Sequence, residues 1–215
     1  MNRADHLLAR RARRRHGVFT RADALACGLS ERALDHRIQS REYEVLWPGI
    51  YGLPGSPSTW ERSAVAAVLH TGPVAALSHG AAARNYSIPG FESAPLEVTT
   101  TQHIRAAEFR VHARSLLVPA DIQIRDGIPT TNTERLLLDL SSVVDAGRLE
   151  ALIDHVCEKK LTTHGRLSTY LDSDRLPKRR RSLLLQVLQQ RGQVTPAASD
   201  LETLVARLIR NSSLL

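Results

Sequence analysis

Three helix starts and a hairpin crowd into residues 1–55, and that order restricts the fold more than any other feature of the chain. Residues 3–15 read as a helix with Leu7, Leu8 and the neighbouring alanines on one side and arginines on the other, ended by His16-Gly17. Thr20 and Asp23 form a capping pair for a second helix, in which Leu25 faces inward and Gly28 allows a sharp exit. Ser30 caps a third helix, 31–39, with Ala33, Leu34 and Ile38 as its apolar positions. Residues 43–47 then read as a strand, Pro48-Gly49 as a turn, and residues 50–53 as the return strand. Three helices followed by a two-stranded hairpin predict a winged helix-turn-helix over 1–55. Gly28 fits the steep helix crossing, small Ala24 lets the helices approach, and Leu34 lies on the inward face of the third helix. Polar Asp23 and Arg37 stand where such a motif usually carries apolar residues.

With Leu34 turned to the core at about 100° per residue, Arg32, His36 and Gln39 fall on the outward face of helix 31–39. All three can donate to base edges, and arginine is the commonest reader of guanine. Thr20, Arg21, Ser30 and Arg41 flank that surface and are expected to hold phosphates through side chains and helix N-termini. Glu31 and Asp35 oppose this reading unless neighbours pair with them or they read cytosine. The alternative is a small helical module whose solvated polar face binds another protein.

Charge distribution adds to the case for a polyanionic partner. Residues 1–21 carry +6, residues 22–158 carry −6 and residues 159–215 carry +7, which sums to the net +7 of the chain. Of 29 basic residues 26 are arginine, a bias that a solvated surface would also accommodate. Hydrophobic residues make up 42%, enough for a core, and aromatics only 4%, so an aliphatic core is expected. The apolar run Ala64–Leu69 is far shorter than the roughly 18 residues of a membrane span. The arginine-rich N-terminus lacks the apolar segment of a signal peptide, and Cys27 and Cys157 are the only cysteines. A reduced, cytoplasmic protein with no membrane association is expected.

Pro54-Gly55-Ser56-Pro57 reads as a linker, beyond which a second unit spans 58–175. Ser58 and Glu61 cap a helix to about Leu69, and Ser78 opens another from His79 to about Tyr86. Residues 96–99, 109–112 and 122–124 read as strands, the last closed by Asp126-Gly127. Thr131 and Glu134 cap a helix through Leu136, Leu137, Leu140 and Val143, and Leu149, Leu152, Ile153 and Val156 mark another buried helix face. Residues 176–215 are expected to be a basic helical tail. The fold class is thus mostly α with small β elements (α+β): a winged helix, an α/β unit and the tail.

No phosphate-binding loop, dinucleotide fingerprint, nucleophile elbow or zincin motif occurs. His79, His103 and His112 have no ligand-like local spacing, so neither a metal nor a cofactor is expected and no catalytic residue is assigned. Ser78-His79 suggests a nucleophile and base, but adjacent helical residues seldom face each other, and an N-cap is the preferred role for Ser78. Asp139 is expected to be a structural partner of Arg135 or another arginine.

Taken together, several phrases resemble the AbiEi-type antitoxins of bacterial type IV toxin–antitoxin systems and their actinobacterial relatives. They are residues 16–21 leading into the second helix, Trp47-Pro48-Gly49-Ile50-Tyr51 in the wing, and Leu77-Ser78-His79 with Ala81-Ala82. Residues 96–99 with His112, residues 126–131, and residues 134–140 complete the series, and the resemblance extends to about residue 190. The segment at 77–82 departs from the family's phrase, with Gly80 and no second serine. The resemblance implies a DNA-binding antitoxin that represses its own operon at an operator duplex, expected to contain inverted repeats. It also implies a second domain that counters a nucleotidyltransferase-like toxin without binding it tightly. Many relatives continue into an endonuclease-like domain similar to very-short-patch repair nucleases, whose first helix opens with a phrase like Ser199-Asp200-Leu201-Glu202. The chain stops at Leu215, before the other carboxylates such a metal site needs, so a non-enzyme is expected, residues 176–215 being a remnant of that domain's start. The alternatives are the regulatory DNA-binding fragment of such a nuclease and a protein-interaction module.

Overall fold

A computed structural model describes residues 3–104, 106–113, 116–173, 176 and 178–192. The phrase at 199–202, like the rest of the expected tail beyond Gly192, lies outside the described residues. The chain divides into two compact units, Met1–Leu140 and Ser141–Leu215. The fold is α+β.

The first unit begins with α1 (Arg3–Arg13), β1 (Val18–Thr20), α2 (Arg21–Ala26), α3 (Glu31–Gln39), β2 (Glu44–Trp47) and β3 (Ile50–Gly52). The three strands form an antiparallel sheet in the order β1-β3-β2. β1 is absent from the sequence reading because three residues are too few to show a period; pairing with β3 is what makes Val18–Thr20 a strand. Thr20 and Asp23 cap α2 reciprocally, each bond being 3.0 Å, and Ser30 Oγ accepts from Ala33 N–H at the start of α3. Gly28 joins the two helices at φ +95°, a conformation glycine adopts at little cost.

The core between these elements is partly aromatic, contrary to the expectation from composition. Phe19 packs edge-on against Tyr43 at 4.9 Å and tilted against Tyr51 at 5.6 Å, with Leu8, Ala12, Ala24, Leu29 and Leu34 around them. Few aromatics suffice because three of them meet at one place. Leu7, assigned to the core by the sequence, is exposed, and Leu8 and Ala12 carry the buried face of α1.

Beyond this sheet come α4 (Trp60–His70), β4 (Ala75–Leu77), α5 (His79–Asn85), β5 (Glu97–Thr100), β6 (Arg110–Ala113), β7 (Ile122–Arg125), β8 (Ile128–Thr131) and α6 (Thr133–Leu140). The strands form a mixed sheet in the order β6-β5-β4-β8-β7, with β4–β8 and β5–β6 parallel. Two expected caps shift by one residue: Thr59 accepts from Arg62 N–H at α4, and Asn132 from Arg135 N–H at α6.

The segment 54–57 does not isolate the two sheets. α4 touches strands of both. Its Arg62 donates to Glu44 on β2 at 2.6 Å, Trp47 stacks on His70 at 5.5 Å, and the Asp126 carbonyl lies 2.7 Å from His16 Nε2. A Cβ at Gly127 would strike the Arg14 carbonyl, so the β7–β8 turn needs glycine for this close approach.

The second unit contains α7 (Ala146–Glu158), α8 (His164–Leu171) and α9 (Lys178–Gly192), with α9 packed on α7 and α8. Asp145 caps α7, whose buried residues are the expected Leu149, Leu152, Ile153 and Val156. Among the described residues no helix is long and apolar enough to cross a membrane.

Candidate nucleic-acid interface

Leu34 anchors α3 to the core with no exposed surface, and the 3.6-residue turn then sends Arg32, His36 and Gln39 outward, where all three are exposed. Ser30 and Arg41 are exposed at the two ends of the same helix, and Arg41 leaves it at φ +60°. Thr20 is half-buried at the N-terminus of α2, its hydroxyl accepting the helix-capping bond. The seven residues singled out from the sequence therefore lie on α3, its two ends and the N-terminus of α2.

Arg21 differs from the other six. Its guanidinium donates to Asp35 at 3.0 Å and stands 3.6 Å from Glu31, so one cation from α2 spans two carboxylates of α3. The Asp35 bond, assisted by Tyr51, holds the Arg21 pKa above its ordinary value. This pairing answers the electrostatic objection raised by the two acids. It also frees Arg32, which forms no ion pair among the described residues. Arg21 itself belongs to the scaffold of the face as much as to its contact surface.

The two polar residues that break the apolar pattern of the motif are paired as well. Asp23 is buried and accepts from Arg11 at 2.7 Å and from Arg15 at 2.9 Å. Arg37 reaches Asp5 at 2.9 Å. Both pairs join α1 or its C-terminal turn to α2 and α3, so part of the basic run at 10–15 is spent on internal structure. Arg10, Arg13 and Arg14 remain exposed, and Arg10, Arg11, Arg14 and Arg15 line a groove where α1 passes Cys27.

A second constellation escaped the sequence reading. His79, Glu97 and His112 come from α5, β5 and β6, and their ligand-type atoms lie within 4.8 Å of one another. Ser78 is at the N-cap position of α5 but makes no capping bond; its Oγ meets His79 Nδ1 at 3.0 Å, so these adjacent residues do face each other. Burial alone would raise the Glu97 pKa, but His112, His79 and the Gly80 N–H more than offset it and hold the carboxyl below its ordinary value. The signal lay in strand alternation, which puts Glu97 and Thr99 on one face, but the pairing of β5 with β6 cannot be read from local spacing.

Residues 6–54 match the model of a family described as transcriptional regulators, AbiEi antitoxins. The match runs from within α1 to Pro54, two residues past β3, covering the elements that build the face just described. Over this stretch the chain is similar to that family, in keeping with the resemblance carried by the phrases at 16–21 and 47–51. No curated protein matches the chain in sequence.

Proposed function

We propose that residues 1–55 are a winged helix-turn-helix that binds double-stranded DNA, with α3 in the major groove and the β2–β3 hairpin as the wing. The observation that carries this reading is the outward Arg32-His36-Gln39 face of α3, exposed and without an ion pair among the described residues, whose neighbouring carboxylates are paired with Arg21. Thr20, Ser30 and Arg41 flank it as phosphate contacts, with Arg21 bridging. The regulator family matched over residues 6–54 supports the same assignment. The protein acts in the cytoplasm as an antitoxin and autorepressor of a type IV operon, paired functionally with a nucleotidyltransferase-like toxin. It works by binding rather than by catalysis.

Arg32 tests the base-reading half of the proposal. It lies in the first turn of α3, and helix-turn-helix proteins contact base edges mainly with N-terminal residues of that helix. Arg32→Ala should weaken the cognate operator by about 1–3 kcal/mol and scarcely change binding to a scrambled duplex. Titrations on both duplexes at two salt concentrations check it. Equal losses on both would make Arg32 a phosphate contact and would refute this orientation of α3.

A further inference from the structure

We propose that His79, Glu97 and His112 form a binding site for a divalent transition-metal ion, with Zn2+ the ion that best suits the ligands. The site is assembled by the parallel pairing of β5 with β6, in which Glu97 stands beside Arg110 and Thr99 beside His112. Glu97 also fixes the start of α5 from two directions. Its carbonyl accepts from Ser78 N–H at 3.1 Å, and its Oε2 accepts from Gly80 N–H at 3.1 Å. Between these two bonds His79 takes φ +50°, an uncommon conformation for a residue with a side chain.

Two orphaned polar atoms point to a missing ligand. His112 Nε2 is buried without a hydrogen bond, and Glu97 Oε1 stands 3.7 Å from it, too far to serve. Thr99 Oγ1, in the register position beside His112, is also buried without a partner, on a residue with no exposed surface. Buried polar groups are nearly always satisfied, so two adjacent exceptions call for a specific cause. A cation accepting the His112 lone pair supplies one.

The ring geometry agrees. The imidazoles of His79 and His112 stack with centroids 3.9 Å apart, which brings two nitrogen ligands to one side of Glu97. Ser78 Oγ lies 3.0 Å from His79 Nδ1 and is placed as the outer partner that orients a histidine ligand. Two imidazoles and a carboxylate are a ligand set found at zinc sites with an open fourth position.

Arg110 supplies the competing charge. Its Nη1 lies 2.8 Å from Glu97 Oε1, yet its side chain is 66% exposed and can swing into solvent when an ion takes the carboxylate. Removing Arg110 should therefore tighten metal binding, an effect that a purely structural cluster would not produce.

The test uses the full chain, stripped with a chelator and titrated with Co2+ and then Zn2+. One ion per chain is expected, with Co2+ absorption bands of a site containing nitrogen ligands. Glu97→Gln and His112→Gln should each weaken uptake about tenfold or more, with circular dichroism checking the fold. Arg110→Gln should bind several-fold more tightly. X-ray absorption of the Zn2+-loaded wild-type chain should show two imidazoles with oxygen ligands, which keeps the test decisive even where a variant does not fold. No stoichiometric uptake, uptake unaltered in folded Glu97→Gln and His112→Gln, or a Zn2+ shell with sulfur or fewer than two imidazoles would overturn the proposal.

Discussion

Both halves of the first unit bury charged residues, but they do so in opposite ways. Around the N-terminal sheet, Asp23 and Arg37 sit at helix contacts and pair with residues that still reach solvent; the Arg11 side chain, for example, is 47% exposed. Beside the larger sheet, Arg135 has no exposed surface and donates to Asp139 at 3.0 Å and to Asp121 at 3.2 Å, both buried too. The triad holds α6 to the turn before β7. The pairs nevertheless have different physical meaning, because the cost of breaking one depends on where the surviving partner can go.

The largest expected effect follows directly. Arg135→Met keeps much of the aliphatic volume but takes the guanidinium away from two buried carboxylates. A loss of about 3–5 kcal/mol is expected, the range for a buried pair deprived of one member. Chemical denaturation of the full chain would measure it. A loss below about 1 kcal/mol would mean that Asp121 and Asp139 resolvate, and the contrast between the two halves would fail.

Asp23→Ala should cost less, although Asp23 too is buried and multiply bonded. The substitution removes the bond that Asp23 Oδ2 accepts from Thr20 N–H, about 1 kcal/mol by itself, while Thr20 Oγ1 still accepts from the backbone N–H of residue 23, and it releases Arg11 and Arg15 to water. The released arginines should add little, since exposed pairs contribute about 0–1 kcal/mol. Comparing Asp23→Ala with Asp23→Asn at low and high salt separates the terms: the cap loss should be insensitive to salt and only the small remainder should fall as salt rises. A mainly salt-dependent loss would show that the ion pairs dominate.

These contrasts also mark what the amino-acid order makes legible. The caps at Thr20 and Ser30, the exit at Gly28 and the inward Leu34 are local, and each was readable from residues within one turn. The outward positions of Arg32, His36 and Gln39 follow from Leu34 by rotation alone. By contrast, β1, β4 and β8 are three or four residues long and owe their strand character to partners distant in sequence. The Phe19–Tyr43–Tyr51 contact and the His79–Glu97–His112 cluster have the same origin. Asp23 and Arg37 looked like defects in the motif because their partners, Arg11, Arg15 and Asp5, lie on α1 or in the turn that follows it.

The smallest expected effect divides the basic run itself. Arg11 and Arg15 are tied to Asp23, whereas Arg14, like Arg10 and Arg13, is exposed and forms no ion pair among the described residues, so it offers an uncommitted charge to a phosphate. Arg14→Ala should leave thermal stability unchanged, weaken cognate and scrambled duplexes alike, and reduce the slope of log K against log salt by about 1. Arg15→Ala should behave differently, lowering stability slightly through the lost Asp23 contact while its effect on the salt slope stays smaller. The two variants differ by one position and remove the same charge, so net charge cannot account for any difference between them. Salt titrations of both variants, run beside thermal melts, provide the measurement. Identical slopes for Arg14→Ala and the unaltered chain would place the duplex away from α1, leaving α2, α3 and the wing as the whole of the contact.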